Sequence, residues 1–236
     1  MYRNYICNYQ SDWIHREGRN MKYVIFDMDG VIVDTEPEYR RRTKSFFESM
    51  GYQISEELYD LTCGSNWKHT YELFRKYVKE FDMEYEEYVE KRKHYGNYEA
   101  IDPGKYVDEH IYPLLDWLKR HKIHIALASS SPRESIERYL TLLKIREYFE
   151  LVVSGAEFKN SKPDPEIYRY TIKKLHATAS ECLVVEDSIY GIIAAKQAGA
   201  VVTAKKDERF GQDQSGADYM VDDLLQIEGI IEGENQ

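Results

Sequence analysis

From Lys22 onward the chain alternates short apolar runs with longer amphipathic stretches. The runs Tyr23–Phe26, Ile123–Ala128, Leu151–Val153, Cys182–Val185 and Ala200–Thr203 are largely continuous in their apolar character, as strands buried on both faces are. Between the later runs, Pro132–Leu143, Pro165–Leu175 and Ser188–Ala198 carry the helical period. Short strands alternating with helices predict βαβ units and therefore an open parallel α/β sheet. Tyr219–Val221 predicts a further short strand at the edge.

One stretch breaks the alternation. Between Thr35 and Pro103 only helical patterns occur. Thr35 and Glu38 have the spacing of a capping box, and Gly51 stands where a helix would stop. Trp67, Tyr71, Phe74, Val78 and Phe81 recur at spacings of four and three, which predicts one apolar helix face. Met83 to Tyr95 repeats the pattern. The expected organisation is an α/β core over 21–34 and 104–236, with a helical cap inserted over 35–103. The linkers lie near Asp34–Pro37 and Asn97–Gly104. Residues 1–20 are polar and without period, and read as an N-terminal extension.

Composition narrows the function classes. Asp plus Glu number 42 against 32 for Lys plus Arg, a formal charge of −10. So acidic a chain is a poor binder of nucleic-acid backbone, whose affinity comes from clustered cations. The three cysteines, Cys7, Cys63 and Cys182, are widely spaced and form no CxxC, which fits a reducing compartment. No apolar run approaches the ~20 residues needed to span a bilayer, and the first residues lack a signal-peptide core. The expectation is a cytoplasmic protein, monomeric, without nucleic-acid or membrane partners.

Candidate chemistry gathers at the ends of the predicted strands. Tyr23–Phe26 delivers Asp27 and Asp29, and Gly30 permits a turn that lets both acids face one crevice. A calcium loop of the EF-hand type is excluded, because its fifth position is the apolar Val31. Ser129 follows the second predicted strand, Lys162 lies in the loop after the third, and Glu186–Asp187 close the fourth. Open parallel sheets bind ligands at this carboxyl edge. Several carboxylates converging there repel one another unless a cation sits among them, and oxygen ligands favour Mg²⁺. A hydroxyl and an ammonium would complete a phosphate cradle. Taken singly, Ser129 could be a helix N-cap, Lys162 a loop lysine and Glu186–Asp187 a helix cap; taken in order on successive strands they form a set.

The segments DMDGVIVDTEP, IALASSS, SKPDPEIY and VVEDSIYGIIAA, in this order, resemble the four motifs of the haloacid dehalogenase-like phosphatase superfamily, in its subgroup with a helical cap after the first strand. The resemblance runs from about Met21 to about Leu225 and implies a Rossmann-like core with an α-helical cap. It also implies that Asp27 is the nucleophile and Asp29 the general acid and base. By the same resemblance Ser129 and Lys162 hold the phosphoryl group. Mg²⁺ would sit on Asp27, Asp187 and the Asp29 backbone carbonyl, with Glu186 orienting the metal shell. Dehalogenases of this superfamily lack the second Asp of the first motif, so Asp29 implies phosphoryl transfer.

Two such reactions fit: hydrolysis of a small phosphorylated metabolite, with a sugar phosphate as the leading class, and a β-phosphoglucomutase-like isomerisation. The mutase pattern has a His shortly after Asp-Thr and an Arg in the second cap helix region, where this chain has Tyr39 and Trp67. Arg40, Arg41, Arg42 and Lys68 could supply a second phosphate grip from elsewhere. The reading taken is the phosphatase; a catalytically idle binding protein is the third alternative. Substrate specificity is expected in the cap, among Glu36, Tyr39, Arg40, Cys63, Gly64, Asn66 and Trp67.

Overall fold

The computed structural model describes residues 20–62, 67–95, 101–209, 211 and 213–233. The N-terminal extension through residue 19, Cys63, Gly64 and Asn66, and residues 96–100 of the exit linker lie outside the described residues. In chain order the elements are β1 (Tyr23–Phe26), α1 (Glu36–Ser49), α2 (Glu56–Asp60), α3 (Trp67–Tyr77), α4 (Tyr85–Tyr95), α5 (Ile111–Arg120) and β2 (His124–Ser129). They continue with α6 (Arg133–Leu142), β3 (Leu151–Ser154), α7 (Glu166–Lys174), β4 (Cys182–Glu186), α8 (Ile189–Gln197), β5 (Val201–Lys205), β6 (Tyr219–Val221) and α9 (Gln226–Glu232). Among the described residues no helix is long and apolar enough to cross a membrane.

The strands form one six-stranded sheet in the order β3-β2-β1-β4-β5-β6. Every pairing is parallel. All carboxyl ends therefore lie on one edge, with β1 central and flanked by β2 and β4. The order reverses beside β1, the position at which open sheets form their ligand crevice.

Strand alternation divides the core into two layers. Val24, Phe26, Ile125, Leu127, Leu183 and Val185 pack with α5, α6 and α9 on one face. Ile25, Ala126, Ala128, Cys182, Val184 and Val202 pack with α7 and α8 on the other. The apolar runs were continuous because both faces of these strands are covered. Helices α5 and α9 lie outside the predicted pattern. In α5 the obscuring residue is Pro113, which reads as a breaker but is tolerated in a first turn.

Helices α1–α4 enclose a separate aromatic core of Phe46, Phe47, Tyr59, Phe74, Phe81 and Tyr88. The predicted face of Phe74, Val78 and Phe81 is buried here, although α3 stops at Tyr77 and leaves Val78 and Phe81 to the following turn. Gly51 follows α1 with φ +83°, a conformation open to glycine without strain. The Thr35–Glu38 capping box does not form. Thr35 makes no side-chain cap bond, and the Glu38 carboxylate accepts from Arg41 and Arg42 instead. Thr35 is drawn away by a carboxylate in the preceding loop, described below.

Phe47 sits at the centre of the helical insertion. Its ring lies 4.0 Å from that of Phe74 and within 6.2 Å of Phe46, Phe81, Tyr52 and Tyr88. Deleting a buried Phe forfeits transfer energy and leaves a cavity, so Phe47→Ala is expected to cost about 3–5 kcal/mol. The shift in the urea unfolding midpoint at unchanged slope measures it.

Candidate active site

The centre of the carboxyl edge is a buried lysine. The loop after β3 carries Lys162 inward, where its ammonium donates to Asp27 Oδ1 at 2.6 Å, Glu186 Oε1 at 2.6 Å and the Ala128 carbonyl at 3.2 Å. These three bonds use all three of its protons. Lys162 also lies 4.9 Å above the ring of Tyr168, from the first turn of α7. Lys162, Asp27 and Glu186 are 9, 6 and 0% exposed. One cation from the β3 loop thus joins the ends of β1, β2 and β4.

Glu186 is saturated by protein donors. Tyr168 donates to its Oε1 at 2.6 Å, and the N–H groups of Asp187 and Ser188 with the Ser188 hydroxyl reach its Oε2 at 3.1, 3.3 and 3.1 Å. Burial alone would raise its pKa, but Lys162 and these hydrogen bonds carry it below the usual carboxylate range. Gly191, in the first turn of α8, leaves the room: a Cβ there would collide with the Glu186 carboxyl group.

The other acids are left with excess negative charge. Burial pushes Asp27 up to about 8, opposed by Lys162 and reinforced by Glu186 and Asp29. Asp187 rises well above its ordinary value, through burial and then the charges of Glu186, Asp27 and Glu36. No described donor reaches its carboxylate. Gly30, with φ +80°, completes the turn after β1 and makes space for Asp187, whose carboxylate would meet any Cβ placed there.

Oxygens of Asp27, Glu186 and Asp187 lie within 4.8 Å of one another. A lone ammonium cannot neutralise these three carboxylates with Asp29 beside them, and an all-oxygen donor set suits a hard divalent cation. The residues fit Mg²⁺. With Glu186 saturated, Asp27 and Asp187 are the carboxylates available to hold it.

Asp29 is fixed by two hydroxyls. Thr35 donates to its Oδ1 at 2.7 Å and Ser131 to its Oδ2 at 2.9 Å. Burial raises its pKa against the pull of these bonds. Ser129 is buried at the end of β2 next to Ala128, and its Oγ accepts the Ser131 N–H at 3.1 Å. It does not cap α6, whose N-cap is Pro132.

The expected specificity residues divide. Tyr39, in the first turn of α1, places its hydroxyl 3.3 Å from that of Tyr139 on α6, and both phenols feel the charge of Asp29. Glu36 faces Asp187 closely enough to raise its pKa. Arg40 turns into the helical insertion, pairing with Asp60 at 2.6 Å and Glu56 at 3.0 Å. Trp67 lies against Arg92, whose guanidinium carbon is 5.5 Å from its ring centroid. Thr35, Ser131 and Tyr168 were not among the predicted site residues. All three lie within the motif segments DMDGVIVDTEP, IALASSS and SKPDPEIY, but none was singled out there.

A sequence profile described as haloacid dehalogenase-like hydrolase matches residues 24–205. The chain belongs to this family. A phosphorylated carbohydrates phosphatase of Thermotoga maritima is 35% identical over 193 residues, covering 76% of this chain and 82% of the relative. Hexitol phosphatase B of Escherichia coli is 30% identical over 189 residues, covering 76% and 81%. Among solved structures, β-phosphoglucomutase from Clostridium difficile superposes with a TM-score of 0.78 at 25% identity, over 91% of this chain and 97% of the other. This haloacid dehalogenase-like hydrolase is a phosphatase of the family.

The fit of Glu186 against α8 is testable in the hydrolase. Gly191→Ala forces the carboxylate off its donors, and overpacking of this kind costs about 1–3 kcal/mol. The expected outcome is a lowered melting temperature together with loss of aryl-phosphate hydrolysis, measured on the same preparation.

Proposed function

We propose that this hydrolase removes phosphate from small phosphorylated metabolites, with sugar phosphates as the leading class, through an aspartyl-phosphate on Asp27. The observation that carries the reading is the division of labour between two neighbouring carboxyl groups. Asp27 sits against the Lys162 ammonium, while Asp29 is oriented by Thr35 and Ser131.

An oxygen of Asp27 attacks phosphorus as the bond to the leaving oxygen breaks. Asp29 gives that oxygen its proton, and its burial favours the protonated form this requires. Asp29 then takes a proton from water, whose oxygen attacks the phosphorus of the aspartyl-phosphate. Inorganic phosphate leaves and Asp27 is restored. Ser129 and Lys162 hold the phosphoryl oxygens through both steps, Lys162 by exchanging one of its protein acceptors for a phosphoryl oxygen. Asp27, Asp187 and the Asp29 backbone carbonyl would hold Mg²⁺, which when bound offsets negative charge on the phosphoryl group. Glu186 keeps Lys162 and the Asp187 backbone in place. The insertion over 35–103 acts as a cap, with Glu36 and Tyr39 as its specificity contacts.

The sugar-phosphate class is supported by the relatives named for phosphorylated carbohydrates, hexitol phosphate and fructose 1-phosphate. Hydrolysis rather than isomerisation is supported by the arginines at the start of α1. Arg40 is paired with Asp60 and Glu56, and Arg41 and Arg42 with Glu38. A mutase needs such cations to grip a second phosphate.

The test is phosphate release across a panel of sugar phosphates and nucleotides with Mg²⁺ and with chelator. Release is expected with Mg²⁺ only, absent in Asp27→Asn and reduced about 10²–10⁴-fold in Asp29→Asn. β-Glucose 1-phosphate converted to glucose 6-phosphate without net release would make the protein a mutase. No metal-dependent turnover of any substrate would make it a binding protein.

A further inference from the structure

The segment joining β5 to β6 returns to the active site. Gln214, in its middle, is 5% exposed. Its Nε2 donates to the Asp187 carbonyl at 2.5 Å and to the Lys205 carbonyl at 2.8 Å, while its Oε1 accepts the Asp207 N–H at 3.1 Å. Both amide protons and an oxygen lone pair are thus used on backbone groups of three different residues. At the end of β5, Lys205 donates through its ammonium to the Val31 carbonyl at 3.0 Å and pairs with Asp108 at 2.8 Å. The two acidic loops, after β1 and after β4, are therefore tied to one place.

Asp187 has particular need of such a tie. Its carboxylate receives no described hydrogen-bond donor, so its position follows from its backbone and from contact with the turn at Gly30. That backbone is held at two points: its N–H by Glu186 and its carbonyl by Gln214. We propose that Gln214 is a positioning residue for the cation site, holding the Asp187 peptide so that its carboxylate faces Asp27 before a cation binds. The inference rests on the proposed function, in which Asp187 is a cation ligand. Gln214 itself touches neither cation nor substrate. Its effect is to supply, through the main chain, the orientation that a ligating carboxylate ordinarily receives from hydrogen bonds to its own oxygens.

The experiment measures Mn²⁺ binding to the full-length protein by electron paramagnetic resonance, without substrate, for the wild type and three variants. Gln214→Met keeps the volume and removes all three bonds. Gln214→Glu keeps an acceptor for the Asp207 N–H but loses the donors to Asp187 and Lys205. Gln226→Met removes the side chain that accepts from the Asp222 and Asp223 N–H groups in the next loop and bonds to none of the site residues named above. The expected result is a Mn²⁺ dissociation constant raised roughly tenfold, the scale found for partners of metal ligands, in both Gln214 variants. Gln226→Met is expected to lower the melting temperature and leave Mn²⁺ affinity unchanged. At saturating Mg²⁺ the Gln214 variants should recover the wild-type KM.

Wild-type Mn²⁺ affinity in folded Gln214→Met, restored affinity in Gln214→Glu, or an equal loss in Gln226→Met would each overturn the positioning role. If Gln214→Met does not fold, Gln214→Glu alone decides. Absence of Mn²⁺ binding by the wild type would instead overturn the proposed function on which the inference rests.

Discussion

The whole active edge depends on one ammonium group almost wholly withdrawn from solvent. Lys162 is shared by Asp27 and Glu186 in the interior, at the point where β1, β2 and β4 end. A buried charge is tolerated only when paired and hydrogen-bonded, and removing one partner of such a pair costs about 3–5 kcal/mol. The cluster therefore fixes more than its own geometry. Glu186 must lie against α8 to receive its donors, α8 must carry a glycine in its first turn, and Tyr168 must rise from α7 beneath the ammonium. The two helices on that face of the sheet are placed by the same charges that the crevice uses.

The charge balance explains how neighbouring carboxyl groups come to differ. Glu186 has the most donors and remains an anion. Asp27, Asp187 and Asp29 all sit above their ordinary pKa through burial, the first two sharing what is left of the lysine's field and Asp29 held by two hydroxyl contacts of its own. Identical chemistry at four positions becomes four environments through differences in hydrogen bonding and burial alone.

Much of this was legible in the sequence. Continuous apolar runs gave the strands because the sheet is covered on both faces, and their parallel arrangement followed from the helices between them. The acids, Ser129 and Lys162 could be gathered at one edge because each follows an apolar run, and a parallel sheet brings the carboxyl ends of its strands together. Contacts that depend on a loop's return path could not be read in the same way. Nothing near Gln214 sets it apart from an ordinary polar loop residue, and its meaning comes from a partner 27 positions earlier in the chain. Thr35 illustrates a conflict of another kind. Its spacing to Glu38 satisfies a local helix rule, but the Asp29 carboxylate takes its hydroxyl in place of the helix N-terminus. Helix α5 was hidden by a proline whose position in the first turn makes it harmless.

The ion pairs of α1 carry a consequence for how a substrate arrives. Arg40, Arg41 and Arg42 stand at the start of the helix nearest the crevice, yet all three are already paired, Arg40 with Asp60 and both Arg41 and Arg42 with Glu38. The chain as a whole carries a formal charge of −10. The net charge of the protein thus opposes the approach of an anionic substrate at long range, and these paired arginines do little to offset it. Encounter is left to diffusion against a weak opposing field, which dissolved salt relieves. Discrimination is deferred to the last few ångströms, where burial makes each charge count most.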